Sequence, residues 1–214
     1  MTSLLRCRAA VSEMATLFDA KAERGLDWHP TIWPGEAAPV VIAKETGRHL
    51  RVLRWGLPED VCVKATADAK RGTLFAREIA GGFSSPLLLN RLKRCLIVVE
   101  DVAYPQGQAG QRTRSWLGLW DRPLSAWAGL CVSDPATRGF AGFLTAANAR
   151  AEPVTRTMPV LLHPSEWEAW LSGAALHQLD TAYDSDAFYL ERTPEIWASG
   201  HLPENKRDVS RAPV

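Results

Sequence analysis

The four cysteines of this chain, Cys7, Cys62, Cys95 and Cys131, nowhere form a Cys-x-x-Cys pair. That argues against a zinc clip and against a thioredoxin-type redox motif. Cys95 and Cys131 sit in apolar runs and read as small buried hydrophobes in a reducing compartment. No apolar run approaches the ~20 residues that a membrane span needs. Near the N-terminus, Arg6 and Arg8 lead into an amphipathic stretch carrying Glu13, Asp19 and Glu23, not into the core of a signal peptide. A cytoplasmic protein with no membrane partner is expected. The chain has almost no net charge, +1 at pH 7, so nucleic acid would have to be held by a local patch and not by a global field. His29, His49, His177 and His201 show no metal-site spacing, and no cofactor or metal is expected. Internal repeats and low-complexity tracts are also missing.

What is present suits a single folded unit. A chain of 214 residues corresponds to one domain, or one domain with a tail, and buries roughly 70% of its unfolded surface without a disulfide or metal staple. Val11, Met14, Leu17 and Phe18 recur at helical spacing behind Ser12, which predicts a helix over 12–23 ended by Gly25. Residues 40–44 and 50–55 flank Glu45-Thr46-Gly47 as a hairpin. Residues 86–93 are expected to form one or two helical turns. Cys95 to Val99 reads as a strand buried on both faces. Residues 115–120 and 125–132 are expected to pair as a second hairpin around Asp121-Arg122-Pro123. Residues 141–146 and 158–162 are two further strands, and Pro164-Ser165-Glu166 opens a short helix with Trp167, Trp170 and Leu171 on one face. Many short strands with few helices predict an α+β fold that is mostly β, with a barrel-type core. Residues 1–173 are read as the domain, 174–200 as an extension packing on it, and 201–214 as a flexible tail. The nine tryptophans are expected either to pack in the core or to line a groove.

Several segments, taken together and in order, resemble a known family. Arg54-Trp55-Gly56-Leu57-Pro58 is similar to a Trp-Gly-x-x-Pro strand end, and Phe75-Ala76-Arg77 to an Asn-Ala-Arg triplet. Arg94-Cys95-Leu96-Ile97 resembles the strand that leads to a catalytic glutamate. Met158-Pro159-Val160-Leu161-Leu162 resembles the strand that follows a catalytic histidine. The family is that of the SOS-response-associated peptidases (SRAP), and the resemblance runs from about residue 1 to residue 172. It implies a SRAP-like β core. Members use an N-terminal cysteine, exposed by removal of the initiator Met, to capture the aldehyde of an abasic site in single-stranded DNA, assisted by asparagine, glutamate and histidine.

At each of those positions this chain departs from the pattern. Thr2 stands for the cysteine, Phe75 for the asparagine, Tyr104 for the glutamate and Thr155 for the histidine. A hydroxyl is a weaker nucleophile than a thiolate, a phenol of pKa ~10 is a poor base at neutral pH, and threonine has no imidazole to titrate. Glu100 and Asp101 are off the register of the glutamate position and read as solvated charges at a strand end. His163 is read as a surface or helix-capping residue. The resemblance leaves a DNA surface, with Arg77, Trp55, Arg71 and Arg94 as its contacts and Lys70, Arg91, Lys93, Arg112 and Arg114 as further positive charge. The expected function is a catalytically degenerate, pseudoenzyme-like SRAP protein that binds single-stranded or abasic-site DNA in a DNA-damage response. Two alternatives stay open: a module that grips a protein partner of that response without binding DNA, and residual Schiff-base chemistry through the Thr2 amine.

Overall fold

A computed structural model describes residues 3–57, 92–134, 137–179 and 183–199. Thr2, Phe75, Arg71 and Arg77 lie outside these residues, as do Lys70, Arg91 and most of the helical turn expected over 86–93. The first strands are β1 (Leu4–Arg6), β2 (Ala20–Ala22) and β3 (Thr31–Ile32), with helix α1 (Val11–Leu17) between β1 and β2. Then come β4 (Ala37–Lys44), β5 (Gly47–Arg54), β6 (Lys93–Val99), β7 (Asp101–Gln106), β8 (Thr113–Leu119), β9 (Ser125–Asp134) and β10 (Thr137–Gly142). The last strands are β11 (Leu144–Ala146), β12 (Thr157–Pro159), β13 (Leu161–Leu162) and β14 (Phe188–Ile196), and helix α2 (Trp167–Ser172) precedes β14. The fold is mostly β, with two short α-helices among the described residues.

Two sheets carry the architecture. The first has the order β14-β8-β7-β1-β3, and the second runs β10-β9-β6-β4-β5-β2 with β13 paired to β9. At the centre of the second sheet, β6 is buried from Cys95 to Val99, as its unbroken apolar run predicts. The β4–β5 hairpin forms in the expected place, with Lys44 opposite Gly47 and Gly47 at φ 105°, a conformation open to glycine.

Four expectations are corrected. α1 stops at Leu17, because Asp19 takes a left-handed φ of 46° and the chain continues as β2, parallel to β5. Its N-cap is Ala10, not Ser12. β8 and β9 do not form a hairpin: β8 pairs with β7 and β14, and β9 with β6, β10 and β13, so Trp120 to Leu124 carries the chain from one sheet to the other. The strands expected over 141–146 and 158–162 are each broken in the middle. Phe143 and Val160 pair with each other and with Ala128 through backbone hydrogen bonds of 2.9–3.0 Å. Past Gly173, where no strand was expected or excluded, the chain forms β14, which pairs along β8 from Phe188–Leu119 to Ile196–Thr113.

The main core lies between the sheets and is closed by α1 and α2. Trp170 donates its Nε1–H to the Cys95 carbonyl at 3.0 Å, and Trp167 stacks on Phe18 with ring centroids 4.5 Å apart. Close approach also dictates one glycine: a Cβ at Gly142 would run into the six-membered ring of Trp127. Cys7, Cys95 and Cys131 are buried and free.

Candidate functional site

The site is built on β1. Its antiparallel register with β7 sets Leu4 opposite Ala103, Leu5 opposite Val102 and Arg6 opposite Asp101. This brings Ser3, the first described residue, to the same cavity as Tyr104. Val102, Trp127, Leu144, Thr157 and Pro159 line the rest of it, and the space left is about 20 Å³. That is room for about one water molecule, which needs ~10–15 Å³, and not for a sugar or a base. Tyr104 is 3% exposed, and burial pushes its phenol well above the ordinary value. It remains protonated at any physiological pH and supplies no base.

Thr155 lies on the loop between β11 and β12. Its hydroxyl donates to the Thr157 carbonyl at 2.8 Å and accepts from the Thr157 N–H at 3.2 Å, so it closes a local turn. It also borders a broad, open surface cleft of about 660 Å³ with Glu152 and Arg156 on its rim. Among the described residues no three His, Cys, Asp or Glu side chains are grouped to hold a metal ion.

The carboxylates beside the site are structural. Far from being solvated, Glu100 is 11% exposed and Asp101 2% exposed in their side chains. Glu100 accepts from the backbone N–H of Arg8 and of Ala9 (3.0 Å for the latter) and from Arg8 Nε at 2.9 Å. Asp101 accepts from Arg6 Nε at 2.5 Å and pairs with Arg6 Nη2. The Arg6 guanidinium lies 4.3 Å from the ring centroid of Trp116, with Glu191 3.9 Å away. Gly118, opposite Asp101 across β7–β8, leaves the room for the carboxylate: a Cβ there would meet Asp101 Oδ1 and the Tyr189 ring. Burial raises the Asp101 carboxyl above its usual range, and the Arg6 charge offsets this only in part. Both acids thus fix β1 and the residues that follow it. Arg6 and Arg8, which hold these acids, and Ser3, which lines the cavity, are the residues that sequence reading missed. The signal was the pair of arginines preceding two acids that lie far along the chain.

The expected DNA contacts divide. Trp55 is fully buried, stacked on Phe140 at 6.4 Å and edge-on to Trp127 at 6.0 Å, so it is core and offers no face to a base. Arg94 is likewise engaged. It lies over the Trp170 ring at 4.3 Å and donates to the carbonyls of Ala174 and Trp170 at the C-terminus of α2, where a cation is favoured. Arg114 is buried, bonded to Glu195 at 3.1 Å and to the carbonyls of Trp197 and Ser199. Lys93 and Arg112 remain exposed. His163 stacks on Tyr183 with centroids 3.8 Å apart, and its carbonyl accepts the Glu166 N–H of the turn that opens α2.

Comparison with solved structures places the fold. A protein from Bordetella bronchiseptica superimposes with a TM-score of 0.70 at 16% identity, covering 90% of this chain and 99% of that one. A Bacteroides thetaiotaomicron protein gives 0.66 at 17%, covering 88% and 90%. A phage-related protein from Bordetella bronchiseptica gives 0.64 at 14%, covering 89% and 93%. Among curated proteins nothing matches. No helix among the described residues is long and apolar enough to cross a membrane. The sequence model for the SOS response associated peptidase (SRAP) family matches residues 1–192, through most of β14. With that match over most of its length, on this two-sheet fold, the chain belongs to the SRAP family.

Proposed function

We propose that this chain is a catalytically degenerate SRAP protein that binds single-stranded or abasic-site DNA in the DNA-damage response without capturing it covalently. The observation that carries the first half is the small cavity between Ser3 and Tyr104, about 20 Å³ in volume. The glutamate position is a buried, protonated phenol, and the histidine position is a hydroxyl committed to its own turn. With threonine and phenylalanine at positions 2 and 75, neither thiol, amide, carboxylate nor imidazole supports ring closure on an aldehyde.

Binding needs none of those groups. It draws on backbone charge and stacking, which are independent of the reactive residues. Arg77 and Arg71 are the proposed phosphate contacts, joined by Arg156 on the rim of the open cleft. Trp55 and Arg94, engaged in packing and capping, are not part of this surface. Fluorescence anisotropy with a labelled single-stranded oligonucleotide tests the reading. Binding at micromolar protein is expected, weakening as salt rises from 50 to 200 mM and on Arg71→Ala/Arg77→Ala substitution. Absence of binding at 50 mM salt would overturn it.

A further inference from the structure

A second cleft lies apart from the Tyr104 cavity. It is enclosed by α1, the loop joining β8 to β9, and the turn leading into α2, and measures about 240 Å³. Leu17, Leu124, Leu162 and Trp167 supply its apolar lining, and Glu13, Asp121 and Arg122 stand at its edge. Three observations mark it as incomplete. Leu17 is 46% exposed, one of three large hydrophobic side chains so exposed among the described residues. Ser125 also lines the cleft. It is 5% exposed, and its buried Oγ has no hydrogen-bond partner, an uncommon state for a buried hydroxyl. The rim carries two carboxylates against one guanidinium.

The volume decides what fits. Drug-sized ligand pockets run from ~300 to 1,000 Å³, so this cleft takes a single large side chain, the usual form of an interface anchor. The excess of negative charge at the rim selects what flanks that anchor. We propose that this cleft is a docking point for a partner-protein segment presenting one aromatic or aliphatic side chain flanked by Lys or Arg. The anchor lies against the exposed Leu17, over the largely buried Trp167 and Leu124, and the flanking cations face Glu13 and Asp121. This site does not depend on DNA binding: it shares no described residue with the Tyr104 cavity or with the Thr155 cleft.

Titration of the isotope-labelled full chain with capped tripeptides, followed by two-dimensional NMR, tests the assignment. The probes are Ac-Lys-Trp-Lys-NH2, Ac-Glu-Trp-Glu-NH2 and Ac-Lys-Gly-Lys-NH2. The first should shift the Trp167 indole N–H and the amides of Leu17 and Leu124. It should bind about fivefold more tightly than the glutamate-flanked probe, the size that two exposed ion pairs supply. The glycine probe should shift none of these signals. Leu17→Gln changes a half-exposed residue, so the spectrum should keep its dispersion while the lysine-tryptophan probe loses most of its affinity. In Glu13→Gln/Asp121→Asn, where Arg122 keeps its charge at the rim, the lysine-flanked tryptophan probe should lose its advantage and the glutamate-flanked probe should bind at least as well. No shift at millimolar probe, equal binding of the two tryptophan probes to the unaltered protein, or full affinity in the Leu17→Gln variant would each overturn the proposal.

Discussion

Replacing Arg6 with alanine tests whether the acids beside the Ser3–Tyr104 cavity hold β1 in place. Asp101 is 2% exposed and Arg6 16% exposed, so the substitution strands a buried carboxylate. Breaking such a pair from one side costs ~3–5 kcal/mol. The lost contact with Trp116 at 4.3 Å belongs to the same truncation. For a chain of this length each kcal/mol moves Tm by ~2–4 °C, giving a fall of about 6–20 °C in a circular-dichroism melt. The pH dependence identifies the cause. Burial already raises the Asp101 carboxyl with Arg6 in place, and without Arg6 it rises further. The folded variant then holds a proton that the unfolded chain releases near ~3.9. Its stability falls as pH rises through the interval between the two values. The penalty relative to the unaltered protein is therefore smallest below pH ~4 and largest above the raised folded value. Adding Asp101→Asn to Arg6→Ala removes the stranded charge and should recover more than half of the loss. A penalty under ~1 kcal/mol, or one that stays flat between pH 4 and 8, would refute the reasoning.

Other perturbations give distinct outcomes. Glu23 is partly buried, which opposes ionisation, but hydrogen bonds from Lys44 at 3.0 Å and Arg51 at 2.9 Å prevail and hold its carboxyl below the usual value. Glu23→Gln should cost ~0.5–1.5 kcal/mol at neutral pH. The difference should disappear as pH falls through the depressed folded value, read by urea titration at several pH values. Gly142→Ala drives a Cβ into the buried Trp127 ring and should cost ~1–3 kcal/mol with near-native m-value; a neutral result would mean that the ring has room to move. Burial, reinforced by the Glu100 charge, pushes the Cys7 thiol up to about 12. Cys7 should therefore resist iodoacetamide at pH 8 in the native state and react on unfolding, as followed by peptide mass spectrometry.

Legibility in the sequence followed how local each signal is. The β4–β5 hairpin and the buried β6 were readable, because an apolar run and a Glu-Thr-Gly turn specify them within a few residues. The pairing of β8 and β9 was not. Asp121-Arg122-Pro123 looks like a hairpin turn, yet which sheet each strand joins is set by partners far along the chain. β14 was hidden because it is an edge strand: it alternates weakly, carries Pro194 and shifts register between Arg192 and Ile196. At the site, the phenol of Tyr104 and the hydroxyl of Thr155 could be read from residue type alone. The anchoring of Glu100 and Asp101 could not, because Arg6 and Arg8 reach them from more than ninety residues away. Trp55 illustrates the opposite limit. A tryptophan at a strand end suits a groove or a core equally well, and only the packing of Phe140 and Trp127 around it decides for the core.

The central claim is a SRAP scaffold without capture chemistry. Its most direct test is incubation of the full-length protein with a single-stranded oligonucleotide bearing one abasic site, followed by denaturing electrophoresis without reductant. The account predicts no protein–DNA band that survives denaturation, even at protein concentrations where anisotropy shows the oligonucleotide bound. A stable adduct formed under those conditions would contradict it.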